Sequence, residues 1–277
     1  MYRKTVIDVY LKNGFDFEEA KNEVDFVLET LFNFTYKDFM LGKKLEDWQK
    51  NKIEKVLEER VTTRRPIQQI IGQAFFYGRR FFVDEHTLIP RLETELLVSN
   101  VLELSKKFDN PKILDIGTGT GCIPITLMLE NSNIIADTVD ISAGAMEIAR
   151  KNALFHNILN NFRIIKSDLF ENVKDKYDII VSNPPYIPLK DKEGLQIEVR
   201  DFDPPNALFT KDEEGIEFYK KIIAQADEFL SDNGYIAFEM GQNQAETISQ
   251  LFKQNNFKVI KIEKDFNNID RVIISKN

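Results

Sequence analysis

The tetrapeptide Asn183-Pro184-Pro185-Tyr186 combines residue types that suit the handling of a planar NH2 group. Such a nitrogen is a weak nucleophile. Acceptors placed on its two N–H bonds fix its orientation, and these hydrogen bonds strengthen as positive charge develops on the nitrogen. The Asn183 side-chain oxygen and the Pro184 carbonyl can supply these acceptors, and Tyr186 can supply a flat face for stacking. The prolines restrict φ and stiffen the loop. We therefore predict that Asn183, Pro184 and Tyr186 are catalytic and that all four residues bind substrate.

A glycine-rich loop, Gly117-Thr118-Gly119-Thr120-Gly121, follows the predicted strand at residues 112–116. Glycines allow a sharp turn and close approach of a ligand to the backbone, and a following helix N-terminus favours an electron-rich group. A dinucleotide fingerprint would have glycine or alanine at position 122, where this chain has Cys122. The spacing favours a ligand made of a nucleoside and an amino acid, although the loop alone leaves NAD open.

Three further residues fall where such a ligand would need them. Asp140 ends the next predicted strand, where a carboxylate can accept both ribose hydroxyls. Asp168 and Leu169 follow the third predicted strand and can meet an adenine ring by hydrogen bond and apolar contact. Each feature alone fits a tight turn or a solvated strand end. Together with Asn183, which we add to the cofactor-binding set, they predict an S-adenosylmethionine site.

The elements that position these residues alternate between strand and helix after about residue 92. This alternation predicts a mostly parallel sheet with both faces covered, and the short last connection requires an antiparallel pair. We predict an α/β, Rossmann-like class I methyltransferase fold, a mostly parallel seven-stranded sheet with an antiparallel C-terminal hairpin, preceded by a small helical-bundle domain. The predicted strands are 112–116, 134–139, 162–165, 177–182, 235–240, 258–263 and 271–275. A predicted helix at 93–108 precedes the first strand, and the predicted helices between strands include 143–156, 215–230 and 244–254.

The predicted domains are 1–73, a helical domain that recognises substrate, 74–91, a β-hairpin linker, and 92–277, the S-adenosylmethionine-dependent domain. Apolar residues recur at helical spacing in the first segment, and Asp16 is a predicted N-cap. An aromatic-rich stretch interrupted by Gly78 predicts the hairpin.

Composition restricts the compartment and the partners. The chain has 37 basic and 45 acidic residues and a formal charge of −8, which disfavours nucleic acid as a direct partner. The charged N-terminus is unlike a signal peptide, and we find no apolar run long enough for a membrane span, so we expect a cytoplasmic protein without membrane contact. One cysteine excludes a thiolate zinc cluster, and His86 and His156 have no second ligand at useful spacing, so we expect no metal.

In these motifs the chain resembles the HemK/PrmC family, the glutamine-N5 methyltransferases of peptide-chain release factors. The resemblance extends over nearly the whole chain. Its motifs are Pro66-Ile-Gln-Gln-Ile-Ile-Gly72, Leu88-Ile-Pro-Arg-Leu-Glu-Thr-Glu95, Asp115-Ile-Gly-Thr-Gly-Thr-Gly121, Val181-Ser-Asn-Pro-Pro-Tyr186 and Ala207-Leu208.

The resemblance implies that residues 117–121, Asp140 and Leu169 contact S-adenosylmethionine, and that residues 183–186 hold a glutamine of the release factor's Gly-Gly-Gln loop. Two departures fall in predicted substrate-side loops: Leu92 replaces the family's usual proline, and residues 201–206 differ from its usual Glu-Pro-containing form. A ribosomal-protein glutamine remains an alternative substrate. An adenine-N6 or guanine-N2 nucleic-acid methyltransferase and a cofactor-sensing module are further alternatives, the last disfavoured by the intact Asn183-led loop.

Smaller features receive simpler interpretations. Arg60, Arg64 and Arg65 at a predicted helix end are interpreted as a solvated turn that compensates the helix dipole. We expect Cys122 to pack against the sheet. Glu239, which ends a predicted strand, is left open between a structural and a substrate-facing role.

Overall fold

The computed structural model describes residues 2–158 and 160–277. Contacts divide the chain into two compact units. One comprises the residues up to Gln73 together with Ile197–Phe202, and the other comprises Ala74–Gln196 with Asp203–Asn277.

The first unit is helical, as the spacing of its apolar residues predicts. The predicted N-cap is confirmed, because the Asp16 side chain accepts hydrogen bonds from the backbone N–H groups of Glu18 and Glu19. Apolar side chains from several of its helices form one buried cluster that includes Tyr10, Val27 and Ile53. Its first helices are α1 (Tyr2–Lys12), α2 (Phe17–Phe32), α3 (Tyr36–Met40), α4 (Asp47–Thr63) and α5 (Ile67–Ile71).

Arg60, near the end of α4, is not part of a solvated turn, so that interpretation was wrong. Its side chain is 2% exposed, and the guanidinium donates at 2.9 Å to Glu19, Glu23 and Glu198. It also lies over the ring of Phe15, 4.6 Å from the centroid. The carboxylates come from α2 and from a segment 138 residues away, so inspection of the helix end alone could not show them.

The second unit contains the main sheet. Before that sheet, the chain forms a separate two-stranded sheet from β1 (Gln73–Phe76) and β2 (Arg79–Phe82). The elements that follow are α6 (Thr94–Ser105), β3 (Lys112–Ile116), α7 (Cys122–Glu130), β4 (Ile135–Asp140), α8 (Ala143–Phe155), β5 (Phe162–Lys166), β6 (Tyr177–Ser182), β7 (Ile187–Pro188), a 3-10 helix (Leu189–Gly194), α9 (Ile197–Phe202, which belongs to the helical unit), α10 (Pro205–Leu208), β8 (Phe209–Thr210), α11 (Glu217–Phe229), β9 (Leu230–Glu239), α12 (Ala245–Gln254), β10 (Lys258–Lys264) and β11 (Asp270–Lys276).

The main sheet has seven strands in the order β10-β11-β9-β6-β3-β4-β5. Strands β3, β4, β5, β6 and β9 run parallel, whereas β11 pairs antiparallel with both β9 and β10. The predicted α/β fold with an antiparallel C-terminal hairpin is therefore confirmed. Because the chain moves outward from β3 to β5 and then returns to β6 on the other side of β3, the strand order reverses between β3 and β6. Ligands of such sheets bind at the carboxyl ends of the strands beside this point.

Strand β9 starts well before the predicted residue 235. Strand β9 begins at Leu230, which was expected to end the preceding helix. Leu230 pairs with Tyr177 of β6, and an irregularity in that pairing precedes the match of Ile179 with Tyr235. Asn233 lies between them at φ 64. The polar residues 231–234 disguise the early start, because they interrupt the apolar pattern by which the strand was recognised.

In the part of the chain that the structure describes, no helix has both the length and the apolar character needed to cross a membrane.

Candidate active site

The glycine-rich loop follows β3 directly and uses its glycines for two different reasons. Gly117 and Gly119 have φ values of 76 and 52, and a Cβ built on either would meet no atom within 4 Å. Both therefore border open space that a ligand can enter. Gly121 has φ 77, but its Cβ would lie 3.0 Å from Ile125 and 3.3 Å from Ala149, so this glycine allows α7 and α8 to pack closely.

Asp140, the last residue of β4, connects the loop with α8. One carboxylate oxygen accepts from the Gly119 N–H at 2.9 Å, and the other accepts from the Ser142 N–H at 2.8 Å. Ser142 in turn caps α8 by accepting from the Ala145 N–H. Burial raises the pKa of Asp140. Each oxygen keeps a lone pair for a further donor, as recognition of two hydroxyls would require.

A cavity of about 420 Å³ lies between the glycine loop and the loop after β6. Its size is typical of sites for small ligands. Of the twelve predicted site residues, ten line it: Gly117, Thr118, Gly119, Thr120, Asp140, Asp168, Leu169, Asn183, Pro184 and Pro185.

The other two predicted residues, Gly121 and Tyr186, do not line this cavity. The Tyr186 ring is packed against Gly241, where an added Cβ would lie 3.0 Å from ring atom Cδ2. Its carbonyl accepts from Gln244 Nε2 at 3.1 Å. Burial raises the pKa of the Tyr186 phenol. The observed contacts anchor the end of the loop, and stacking of a substrate on Tyr186 stays a prediction.

Leu169 has a strained backbone conformation. Its φ of 48 lies in the left-handed region, which costs a non-glycine residue about 1–2 kcal/mol. Its side chain is partly buried against the core that includes Val139 and Phe170. Strain of this kind concentrates at ligand sites, and here it occurs at a residue that lines the cavity.

Asn183 is held by two residues that our site prediction omitted. Its Nδ2 donates to Thr94 Oγ1 at 3.2 Å, and Thr94 Oγ1 donates to Glu239 Oε2 at 2.6 Å. Thr94 is 3% exposed and Glu239 is 1% exposed. Burial raises the pKa of Glu239 to about 7, and the hydroxyl of Thr94 opposes that shift. Thr94 lies within the 88–95 motif, and that motif was a signal that could have identified it. The role of Glu239 could not be decided from the sequence.

Comparisons with known proteins identify the family of the chain. Residues 92–198 match the family model described as "Methyltransferase small domain". A release factor glutamine methyltransferase of Fusobacterium nucleatum is 42% identical over 86% of this chain and 67% of its own length. One of Flavobacterium psychrophilum is 36% identical over 95% of this chain and 94% of its own length.

The chain belongs to the release factor glutamine methyltransferase family. The resemblance stated from the motifs is thereby confirmed. The family also has longer relatives. The chain covers 50% of the length of a bifunctional methyltransferase of Rickettsia bellii, to which it is 37% identical.

A solved structure shows the same fold as this family member at much lower sequence identity. A methyltransferase from Pyrococcus furiosus superimposes with a TM-score of 0.53 and 18% identity, covering 82% of this chain and 98% of that one. At this identity the likeness supports the fold alone, which is the predicted class I methyltransferase fold.

The cavity of this family member fits S-adenosylmethionine. Asp140 and Asp168 offer carboxylates for hydroxyl and amino donors, and Leu169 offers an apolar surface beside them. Gly117 and Gly119 leave room where a Cβ would intrude. Beneath the loop, Asp115 is fully buried, and burial raises the pKa of its carboxyl to about 7. Asp115 opens the 115–121 motif but was not among the predicted site residues.

Among residues 2–158 and 160–277, one group of side chains could ligate a metal ion. Asp84, Glu85 and His86 have ligand atoms within 4.8 Å of one another, so His86 does have potential co-ligands, contrary to the sequence interpretation. Glu85 and His86 are exposed, and the three residues are consecutive in one turn in which the His86 N–H donates to Asp84. This turn geometry accounts for their proximity.

Proposed function

We propose that this chain transfers a methyl group from S-adenosylmethionine to the side-chain amide nitrogen of the glutamine in the Gly-Gly-Gln loop of peptide-chain release factors. The observation that carries the proposal is that the open glycine loop, Asp140 and the Asn183-Pro184 corner line the same cavity. The names of relatives at 36% and 42% identity support the release factor as substrate.

The cofactor would occupy the side of the cavity nearest β3 and β4. The Asp140 carboxylate would accept the ribose hydroxyls, and Leu169 would contact the adenine, with Asp168 accepting from its amino group. Thr118, Gly119 and Thr120 border the same space. When bound, S-adenosylmethionine supplies a methyl group that the positive sulfur already activates.

The substrate glutamine would enter against the loop after β6. Its side-chain amide carries two N–H bonds, which Asn183 Oδ1 and the Pro184 carbonyl would accept. These acceptors would hold the nitrogen in line with the methyl group, and they would stabilise the positive charge that develops as the nitrogen–carbon bond forms and the sulfur–carbon bond breaks. The methylated nitrogen would then lose one N–H proton to water, which leaves a neutral amide. Because the methyl group is already activated, the reaction needs no general base before transfer, in agreement with the absence of histidine and cysteine from the motif.

The experiment that tests this function uses the full chain, tritiated S-adenosylmethionine and a recombinant release factor. We expect label in the release factor and none in a variant with Gln→Ala in the Gly-Gly-Gln loop. Ribosomal proteins, DNA and tRNA are incubated in parallel. Label that persists in the Gln→Ala variant, or that enters one of the parallel substrates instead, would contradict the proposed substrate.

A further inference from the structure

A buried chain of hydrogen bonds runs from the cavity wall into the protein. Thr94, the first residue of α6, lines the cavity together with Asn183, whereas Glu239, the last residue of β9, lies behind them. Hydrogen bonds connect the three side chains: Asn183 Nδ2 donates to Thr94 Oγ1 at 3.2 Å, and Thr94 Oγ1 donates to Glu239 Oε2 at 2.6 Å. The Asn183 side chain also hydrogen-bonds Glu239 directly. The proposed function gives a role only to Asn183.

The direction of these hydrogen bonds follows from the proton inventory. An ionised carboxylate can only accept, so the Thr94 hydroxyl must give its one proton to Glu239. The hydroxyl oxygen can then act only as an acceptor towards its second neighbour. The side chain of Asn183 has a donating NH2 end and an accepting oxygen end, and only the NH2 end can satisfy Thr94. The oxygen end is left to accept from a ligand.

We propose that Thr94 and Glu239 are positioning residues, which set the end of the Asn183 carboxamide that meets the substrate nitrogen. This inference rests on the proposed function, in which Asn183 Oδ1 accepts an N–H of the glutamine. With the carboxamide reversed, two N–H groups would oppose each other, and the acceptor that orients the nitrogen would be lost.

The charge state of Glu239 decides whether this control operates. A protonated Glu239 could donate to Thr94, whose own proton would then require an acceptor and would favour the reversed carboxamide. Burial raises the pKa of Glu239 to about 7, and the Arg271 guanidinium opposes the shift. We therefore expect turnover to decline as the pH falls through about 7. The titratable groups that interact with Glu239 are Glu93 before α6, Arg271 of β11, Tyr186 of the loop, Tyr219 of α11 and Cys122 of α7.

Three variants of the full chain test the positioning role. Thr94→Val keeps the shape and removes the hydroxyl, Thr94→Ser keeps the hydroxyl, and Glu239→Gln replaces the obligate acceptor with a group that can donate. Because a hydrogen bond to a charged group is lost or reversed, we expect Thr94→Val and Glu239→Gln to lower kcat by about 10- to 100-fold. Thr94→Ser should recover most of the turnover. The dissociation constant for S-adenosylmethionine, measured by calorimetry, should change little in all three.

The pH profile separates positioning from a general loss of structure. The acidic decline of kcat near pH 7 should be present in the native protein and in Thr94→Ser, and absent in Glu239→Gln. Native turnover in Thr94→Val, or an equal loss in Thr94→Ser and Thr94→Val, would overturn the inference. A parallel loss of cofactor affinity would overturn it as well, since the residues would then act on the cofactor site.

A spectroscopic readout keeps this inference separate from the proposed function. In protein with 15N-labelled asparagine, the side-chain NH2 signal of Asn183 can be assigned by its disappearance in Asn183→Ala. It should shift with pH near 7 in the native protein and not in Glu239→Gln. A native signal without this titration would contradict the inference, even if release factor is methylated. A titrating signal with no methylation of release factor would instead contradict the proposed function alone.

Discussion

Asn183 shows how far single residues can be interpreted from sequence. The loop after β6 predicted an amide acceptor, and the structure brings that residue to the cavity with the glycine loop and Asp140. The sequence could not show that Thr94 and Glu239, 145 residues apart, would meet behind it. That contact depends on the packing of α6 beside β9, and neither residue type indicates it.

The residue-scale prediction concerns Asn183→Ala. The variant loses the side-chain acceptor for the substrate nitrogen but leaves the glycine loop and Asp140 unchanged. We expect kcat to fall by about 100-fold or more, as in other losses of an oriented polar group in the transition state. Cofactor affinity should be largely retained. Rate measurements at saturating substrate and calorimetry with S-adenosylmethionine test both parts, and unchanged turnover would contradict the assigned role.

At the scale of elements, the loop after β6 is held in place by the segments before α11 and α12. Gln244 Nε2 donates to the carbonyls of Tyr186, Glu214 and Gly215, at 3.0–3.1 Å. Gly215 has φ 74, and a Cβ there would lie 2.2 Å from the Tyr186 carbonyl oxygen. The close approach of these two backbones is therefore possible only with glycine.

Gly215→Ala should consequently disturb this contact. We expect the free energy of unfolding to fall by at least about 1 kcal/mol, because the native φ and the occupied space both oppose a methyl group. Turnover should fall as well, because Tyr186 ends the loop that carries Asn183. Gly194→Ala is the matched control, since a Cβ at Gly194 meets nothing within 4 Å. Equal melting temperatures for the two variants would argue against the close packing described.

The helical unit has a comparable central contact in Arg60, which bonds carboxylates of α2 and α9. Removing one partner of a buried ionic group leaves the others uncompensated, so Arg60→Ala should cost about 3 kcal/mol of stability. Arg65, whose side chain is 32% exposed and lies 3.6 Å from Glu59, provides the control. Arg65→Ala should cost less than about 1 kcal/mol. Chemical denaturation compares them, and similar losses would contradict the burial of Arg60.

For the whole molecule, the sheet was the most predictable feature and the helix ends were the least. The parallel strands were predictable because buried parallel strands give apolar runs separated by helices. The antiparallel pair β10 and β11 was predictable from the short connection between them. The start of β9 was missed because polar residues near Asn233 interrupt its pattern. The environment of Arg60 was missed because Glu198 reaches it from a distant part of the chain.

Two buried carboxyls give the molecule a predictable response to pH. Burial raises the pKa values of Asp115 and Glu239 to about 7, from reference values of 3.8 and 4.5. The folded state thus holds protons that the unfolded state releases. The contribution of these two groups to the free energy of unfolding is therefore full at low pH and is lost as the pH rises towards 7. Glu239→Gln should therefore flatten the dependence of unfolding free energy on pH between 5 and 8. Denaturant titrations of both proteins measure this, and parallel curves would contradict the raised pKa.

The most direct test of the central claim is tandem mass spectrometry of a release factor incubated with this chain and S-adenosylmethionine. The account predicts one added methyl group on the side-chain nitrogen of the glutamine in the Gly-Gly-Gln loop, and its near absence when Asn183→Ala replaces the native chain. A methyl group on any other atom, or equal modification by the Asn183→Ala variant, would contradict the claim that this cavity orients a glutamine amide for methyl transfer.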